Sequence, residues 1–326
     1  MKSSSRVAPL PVAPNLTKDL PNFVLLVCLY MLQGVPLGLT FGAVPFLLKS
    51  RLSYSELGLF SLASYPYSIK LAWSPIVDSV YFTSIGRRKS WIIPTQILIG
   101  FSMLLLGGSI DEMMNRKELP IALLSLIFFG LVFICATQDI AVDGWALTLL
   151  RKENIEYAST AQTIGLNTGY FLSFTVFLAL NSPEFCNKFL FSVPQEAGLL
   201  TLGSYIQFWG IAFLCVTLWL IFFKVEQPTP PSDINSIKSA YKTIFQLFAL
   251  PHMKSLIVIL MIAKIGFVTN EAITGLKLLE KGFGKEDLAL AVLLDFPFQI
   301  LGGYMAAKWS SGPRPLRPVR IFRLLS

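Results

Sequence analysis

Two carboxylates lie four residues apart in the stretch ATQDIAVDGWAL (residues 136–147), which continues directly from the apolar run SLIFFGLVFIC. Residues at positions i and i+4 share one face of an α-helix, so Asp139 and Asp143 are expected to point the same way. An ionised carboxylate inside a membrane is costly and normally has a charged or hydrogen-bonding partner. The spacing therefore predicts that neighbouring helices supply partners for both carboxylates.

Lys70 is the cation that best matches Asp139. It lies about two and a half turns from the end of the second apolar run, at a depth similar to that of Asp139 in the fourth run. We therefore predict an intramembrane ion pair between Lys70 and Asp139. The sequence leaves other partners for Asp139 open.

A second charged cluster lies where the second apolar run ends. The loop SPIVDSVYFTSIGRRKSW places Asp78 before the basic string Arg87-Arg88-Lys89. Asp143, near the end of the fourth run, is expected at a similar membrane level. The sequence predicts a cytosolic latch in which Asp78 and Asp143 pair with Arg87 and Arg88. The alternative is that the basic string serves only to orient the chain in the membrane.

The composition indicates that these residues belong to a membrane protein. The chain has 326 residues, of which 54% are hydrophobic and only 14% are charged, and its mean hydropathy is +0.62. Soluble domains carry about 25% charged residues. The net charge of +8 does not indicate nucleic-acid binding, because the lysines and arginines fall mostly in short loops and tails. We expect the lipid bilayer as surroundings and no nucleic acid as partner.

Apolar runs of about 20 residues predict an all-α, polytopic membrane bundle with eight spans. With the N-terminus in the cytosol, seventeen lysines and arginines lie on the cytosolic side and seven on the other side. Because basic residues favour the cytosolic side, both termini are expected there. The predicted spans are 22–48, 54–79, 90–110, 119–146, 156–180, 203–224, 252–276 and 286–307.

The predicted spans fall into two groups. Six spans, a long cytosolic linker and further spans are typical of transporters built from parallel repeats. The predicted parts are a cytosolic N-terminal tail (1–21), a first six-helix half (22–224), a cytosolic linker (225–251), a partial second half (252–307) and a basic cytosolic C-terminal tail (308–326).

Enzyme chemistry is not indicated by the sequence. The single histidine, His252, starts a predicted span, which does not favour a histidine metal site or a Ser-His triad. The sequence contains no Gly-rich phosphate loop of the P-loop type. We therefore expect no catalytic residues, no cofactor and no metal.

Six strings carry a further signal: YMLQGVPLGLTFGAVPFLL, SYPYSIKLAWSPIVDSVY, IGRRKSWIIPTQ, ATQDIAVDGWALTLL, YASTAQTIGLNTGYFLSFTVFLAL and PEFCNKF. Together they resemble the acetyl-coenzyme A transporter family, from about residue 22 to residue 313. That family belongs to the major facilitator superfamily, has bacterial muropeptide-permease relatives, and in eukaryotes resides in the endoplasmic reticulum membrane. The resemblance implies carriage of acetyl-CoA from the cytosol into the lumen.

The resemblance also implies where a substrate binds, because spans four and seven line the central cavity in this superfamily. Asp139 is then alternatively the carrier of a coupling proton. Coenzyme A is polyanionic and requires cations and hydrogen-bond donors. Lys264, in the middle of span seven, is either a phosphate contact or the partner of Asp295 on span eight. The substrate-binding candidates are Lys264, Asn270 and Glu271, with Tyr30 and Gln33 beside the Gly34-Val35-Pro36 break in span one.

The resemblance implies about twelve spans, whereas eight are predicted here, so the expectation is a truncated carrier that is inactive alone. Two alternatives stay open. One is a carrier of another anionic or peptide-like solute, as in the muropeptide permeases. The other is a non-transporting membrane subunit that modulates a full-length partner. The expected assembly is accordingly a homo-oligomer or a complex with a full-length partner.

Overall fold

The computed structural model describes residues 16–49, 51–226 and 237–283, together with 291, 294–298, 300–302 and 305. Across these residues the chain is helical and contains no strand. Within the part of the chain that the structure describes, five helices are long and apolar enough to cross a membrane, which confirms the predicted all-α polytopic bundle. They are spans one (Leu16–Leu48), three (Lys89–Asn115), four (Ile121–Leu149), five (Tyr157–Asn181) and six (Leu202–Phe223).

The predicted second span, 54–79, is divided into short helices. A capping box between Ser53 and Glu56 starts Tyr54–Ser61, and three further turns follow before the last short helix, Ser74–Ser79. Pro66 and Pro75 each lie in the first turn of a short helix. Proline lacks the N–H that would continue the preceding helix, so the chain restarts at each of these positions. We refer to 54–79 as span two.

Spans one and five approach each other through small residues. A Cβ added at Gly34 would overlap the carbonyl oxygen of Leu166 and lie 3.0 Å from the Cα of Gly169. A Cβ at Gly38 would lie 2.8 Å from the Cα of Tyr170. Glycine at these positions lets the two backbones touch, as small residues do in many membrane helix pairs.

Spans three and six form a second pair of the same kind. A Cβ at Gly107 would lie 2.7 Å from the carbonyl oxygen of Gly203, and one at Gly210 would lie 2.9 Å from that of Gly100. Glycines therefore face each other at two levels along this contact. No residue with a side chain fits there without separating the helices.

Span one is not interrupted at Gly34-Val35-Pro36, where the sequence suggested a break. Its α-helix runs from Leu20 to Gly38, and the irregular part is a π-helical segment, Leu39–Ala43. Span five contains a matching π segment, Leu172–Val176, which contacts the first one. Thr40 donates its hydroxyl to the carbonyl oxygen of Pro36 at 2.7 Å and so satisfies an acceptor at the transition. The predicted kink therefore lies further along the helix.

A 13-residue helix, Ile237–Ala249, lies within the predicted linker. It is followed by the longer helix Pro251–Glu280, whose first part is inclined by 75° to it. Pro251 accounts for the bend, because the residue before a proline avoids the helical conformation. Most of the predicted eighth span, 286–307, lies outside the described residues.

Candidate functional site

The centre of the candidate site is an ion pair between Lys70 and Asp139. The Lys70 ammonium group contacts Oδ2 of Asp139 directly. The Asp139 side chain is fully buried, whereas that of Lys70 is 29% exposed. Lys70 starts the short 3₁₀ turn Lys70–Ala72 of span two, and its ammonium group also lies 4.8 Å from the centre of the Tyr67 ring. The structure thus brings together the two residues that the sequence analysis paired.

Asp143 joins this cluster and not the latch. Its Oδ1 accepts hydrogen bonds from the Tyr30 hydroxyl at 2.8 Å and from the Gln162 amide at 2.9 Å. Its Oδ2 lies 3.6 Å from the ammonium nitrogen of Lys70. The predicted pairing of Asp143 with Arg87 and Arg88 is therefore wrong. Donors from spans one, two and five hold Asp143 one helical turn from Asp139.

Four spans meet at these residues. Tyr30 comes from span one, Lys70 from span two, the two carboxylates from span four and Gln162 from span five. When all three ionisable groups of the triad Lys70–Asp139–Asp143 are charged, its net charge is negative. Such a cluster can take up a proton or a cation, or release the lysine to an incoming anion. The contacts between these spans therefore depend on the charge state of the triad, as a charge-dependent change in helix positions requires.

Two glutamines beside the triad have no hydrogen-bonding partner among the described residues. Gln33, one turn beyond Tyr30, and Gln138, next to Asp139, are both fully buried. Neither the amide oxygen nor the amide nitrogen of either side chain is bonded, and Oδ1 of Asp139 is also unbonded. Unpartnered buried polar groups are rare and costly in proteins. A water molecule or a polar ligand within hydrogen-bonding distance would satisfy these atoms. Tyr30, by contrast, already uses its hydroxyl to hold Asp143.

The basic loop after span two is built around Asp78. Arg88 forms an ion pair with the Asp78 carboxylate at 2.6 Å, and Nε of Arg87 donates to the Asp78 backbone carbonyl at 2.9 Å. Gly144 of span four provides the room for this arrangement, because a Cβ there would overlap the Arg88 guanidinium group. The loop is therefore attached to span four through packing rather than through Asp143.

Glu226 completes this loop, and the sequence analysis missed it. Its carboxylate accepts backbone N–H groups from Arg88 at 3.0 Å and from Lys89 at 2.9 Å. These are free donors at the N-terminus of span three, where a negative charge is favoured. Gly86 has a φ of +109°, and a Cβ there would collide with the Glu226 side chain. An acidic residue just after span six was the only signal for this contact in the sequence.

Lys224 ties the same end of span six to spans one and four. Its ammonium group donates to Oδ1 of Asn22 at 2.7 Å, and the Asn22 amide donates to the Leu149 carbonyl at 3.1 Å. Burial lowers the pKa of Lys224. The ends of spans one, three, four and six are therefore joined on the side of the basic loop.

The candidates of the predicted second half are only partly described. Lys264 and Glu271 belong to the helix Pro251–Glu280, and their side chains lie outside the described residues. The Asn270 side chain is exposed and accepts the Thr274 hydroxyl at 2.9 Å. Asp295 lies in 294–298, where the neighbouring Phe296 stacks on Phe171 of span five at 4.4 Å. The pairing of Lys264 with Asp295 stays a prediction.

Comparison with known protein families decides what kind of protein carries this site. The model of the family "acetyl-coenzyme A transporter 1" matches residues 22–233 and 229–323. The chain belongs to this family. The resemblance predicted from the six sequence strings is thereby confirmed, and a transport role in a membrane is what the family indicates.

Curated proteins similar to this chain include two yeast proteins and a bacterial permease. A Saccharomyces cerevisiae protein, "uncharacterized membrane protein YBR220C", is 46% identical over 91% of this chain and 62% of its own length. A Schizosaccharomyces pombe protein, "uncharacterized protein C21B10.09", is 43% identical over 93% of this chain and 58% of its own length. The Escherichia coli anhydromuropeptide permease is 27% identical over 47% of this chain. The chain thus spans about three fifths of the yeast relatives that it matches.

Proposed function

We propose that this protein carries acetyl-CoA across the endoplasmic reticulum membrane, from the cytosol to the lumen, as a carrier of the major facilitator type. Membership of the acetyl-CoA transporter family supports the substrate. The convergence of four spans on the Lys70–Asp139–Asp143 triad supports a carrier, because a charge-linked joint between helices is what an alternating-access protein needs. In this proposal the protein carries out no catalysis.

The triad acts as an internal counter-ion system in this mechanism. Lys70 is held by Asp139 and Asp143 while the site is empty. A proton taken up by one carboxylate, or an anionic group close to Lys70, weakens this hold and lets span two move relative to span four. Asp139 and Asp143 are thus the proposed coupling residues, and Tyr30 positions Asp143.

We propose substrate contacts both beside the triad and on the helix Pro251–Glu280. Gln33 and Gln138 offer buried amide groups without partners near the triad. On the helix Pro251–Glu280, Lys264 supplies a cation for the phosphates, and Asn270 and Glu271 supply hydrogen bonds to the rest of the molecule. These assignments follow from the requirement that a polyanion with an adenine ring meets cations, donors and apolar surface together.

The proposed orientation places both termini and the loop with Arg87 and Arg88 in the cytosol. The excess of lysines and arginines on that side supports it. A protease-sensitive tag on either terminus should be cleaved in sealed microsomes without detergent. Cleavage that requires detergent would place that terminus in the lumen and reverse the proposed direction of transport.

Uptake of labelled acetyl-CoA into proteoliposomes tests the proposed substrate. Three preparations are compared: the chain alone, the chain together with the Saccharomyces cerevisiae relative, and that relative alone. The relative is included because this chain spans 62% of its length. Saturable uptake that unlabelled acetyl-CoA inhibits is expected, either from the chain itself or as an increase over the relative alone. Uptake that acetyl-CoA does not inhibit in any arrangement would refute the proposal.

Lys70→Gln and Lys188→Gln provide a matched pair of variants for this assay. Both remove one positive charge, but Lys188 is an exposed residue at the opposite end of span five. Only Lys70→Gln should lower the uptake rate. Equal uptake by the two variants would remove the triad from the mechanism while leaving the substrate proposal intact.

A carrier for a peptide-like solute is the second candidate. The observation that favours it is the similarity of 47% of the chain to the anhydromuropeptide permease. An anhydromuropeptide added to the uptake assay distinguishes the two. Competition by the anhydromuropeptide and not by acetyl-CoA would support this candidate.

A further inference from the structure

The helix Ile237–Ala249 is strongly amphipathic. Its sequence, IKSAYKTIFQLFA, repeats apolar side chains at spacings of three and four residues, so that they share one face. The remaining, polar face carries Lys238 and Lys242 at its border with the apolar face, and Gln246 with small polar residues further round the helix. The apolar face is formed by Ile237, Ala240, Tyr241, Ile244, Phe245 and Phe248.

Only part of this apolar face is used inside the protein. Ala240 is buried, the helix contacts the end of span two, and the Tyr241 hydroxyl donates to the backbone carbonyl of Ala72 at 2.7 Å. Phe245 remains 71% exposed and Phe248 41% exposed. The helix is therefore anchored along one edge, and the aromatic residues on the adjoining edge are left outside the protein core.

The inclination of the helix axis fits a position along a membrane surface. Ile237–Ala249 and the first part of the following helix, Pro251–Ala263, are together long and apolar enough to cross a membrane, and they are bent by 75° at their junction. With Pro251–Ala263 crossing the bilayer, this bend leaves Ile237–Ala249 nearly in the bilayer plane. Its contact with Ser74–Ser79 places it at the level where span two ends and the basic loop begins.

The charges beside the exposed aromatics select the lipid. Lys238 and Lys242 lie seven and three residues before Phe245, so both adjoin it on the helix surface, and both are exposed. Lys254 follows within the first turn after the bend and is also exposed. Apolar side chains that insert at the headgroup boundary, with lysines beside them, form the pattern by which interfacial helices bind anionic lipid.

We propose that Ile237–Ala249 is an interfacial anchor that binds the anionic phospholipid headgroups of the leaflet next to the basic loop. Phe245 and Phe248 insert below the headgroups, and Lys238 and Lys242 contact their phosphates. The lipid surface thereby fixes the linker between the two groups of spans. The inference is independent of which solute the protein carries.

Depth-dependent quenching tests the anchor in the full chain. Cys28 and Cys215 are replaced by alanine, whereas Cys135 and Cys186 are buried and unreactive. A bimane label is then placed at Phe245→Cys or, as a matched control on the polar face of the same helix, at Thr243→Cys. The labelled chains are reconstituted in phosphatidylcholine vesicles with or without phosphatidylserine, each containing a lipid with a nitroxide near its headgroup.

The label at position 245 should be quenched by the nitroxide lipid, and more strongly when phosphatidylserine is present, whereas the label at 243 should be quenched by aqueous iodide. Each Lys→Gln change at 238 or 242 should weaken the association of the helix with phosphatidylserine about fivefold. Equal lipid quenching at 243 and 245 would overturn the proposal. So would protection of position 245 from both quenchers, which would show that protein covers this edge.

Discussion

Replacing Lys70 by glutamine should destabilise the first six spans more than replacing Asp139 by asparagine. Lys70→Gln leaves the Asp139 carboxylate fully buried without its cation. Removing one member of a buried ion pair costs about 3–5 kcal/mol, since the remaining charge is left in an apolar environment. We expect Lys70→Gln to lower the free energy of unfolding by an amount near this range.

Asp139→Asn leaves a smaller penalty. Lys70 is 29% exposed, and its ammonium nitrogen remains 3.6 Å from Oδ2 of Asp143, so a second carboxylate is close at hand. The loss should therefore be about 1.5–3 kcal/mol, the value for a hydrogen bond to a charged group. The difference between the two variants measures how much of the stability depends on the burial of the carboxylate.

Equilibrium unfolding in mixed detergent–dodecyl sulfate micelles is the measurement for both variants and for the double variant. Because the residues are in contact, the two losses should not add, and the coupling should be about 1–3 kcal/mol. Lys188→Gln, at an exposed position of the short helix Pro183–Phe189, should change stability by less than about 0.5 kcal/mol. Additive losses, or a larger loss for Asp139→Asn, would refute the pairing as described.

Three further predictions concern the packing and capping contacts. Tyr30→Phe removes a donor to Asp143 and should cost about 1–3 kcal/mol in the same unfolding assay, whereas Tyr81→Phe, on an exposed ring, should cost almost nothing. Gly107→Leu should lower the free energy of unfolding by about 1–3 kcal/mol, because the side chain forces spans three and six apart. Gly130→Leu, where a Cβ meets open space, should leave it unchanged, and equal effects of the two changes would contradict the close contact. Glu226→Gln should speed amide hydrogen exchange at Arg88 and Lys89, and unchanged rates would mean that the carboxylate does not cap span three.

The sequence was sufficient to predict the parts of the fold that depend on apolar runs and on depth in the membrane. Spans one, three, four, five and six follow from runs long enough to cross a bilayer. The contact of Lys70 with Asp139 follows from the cost of leaving either charge alone at a similar depth. Both inferences use the low polarity of the membrane interior, which constrains each segment by its own length and charge, independently of how the helices pack.

Features that depend on the rotation of one helix against another could not be predicted. The spacing put Asp143 on the same face as Asp139, but only the structure shows that span four turns this face toward Lys70 and not toward the arginines, one of which already has Asp78 as its partner. The contact of Glu226 with span three depends on backbone donors, which leave no side-chain signal. The helix Ile237–Ala249 is too polar on one face to register as an apolar run, and only its helical periodicity could have indicated it.

The glycine contacts determine which helices can move separately. Where backbone touches backbone, as at Gly34 with span five and at Gly107 with Gly203, sliding would bring larger side chains into the same space. Spans one and five must therefore travel as one rigid body, and spans three and six as another. Span two, divided into short helices by Pro66 and Pro75, has more freedom to flex, and Lys70 lies on it. A change of charge at the triad would consequently move chiefly span two. Span two would act as the flexible element between two rigid helix pairs.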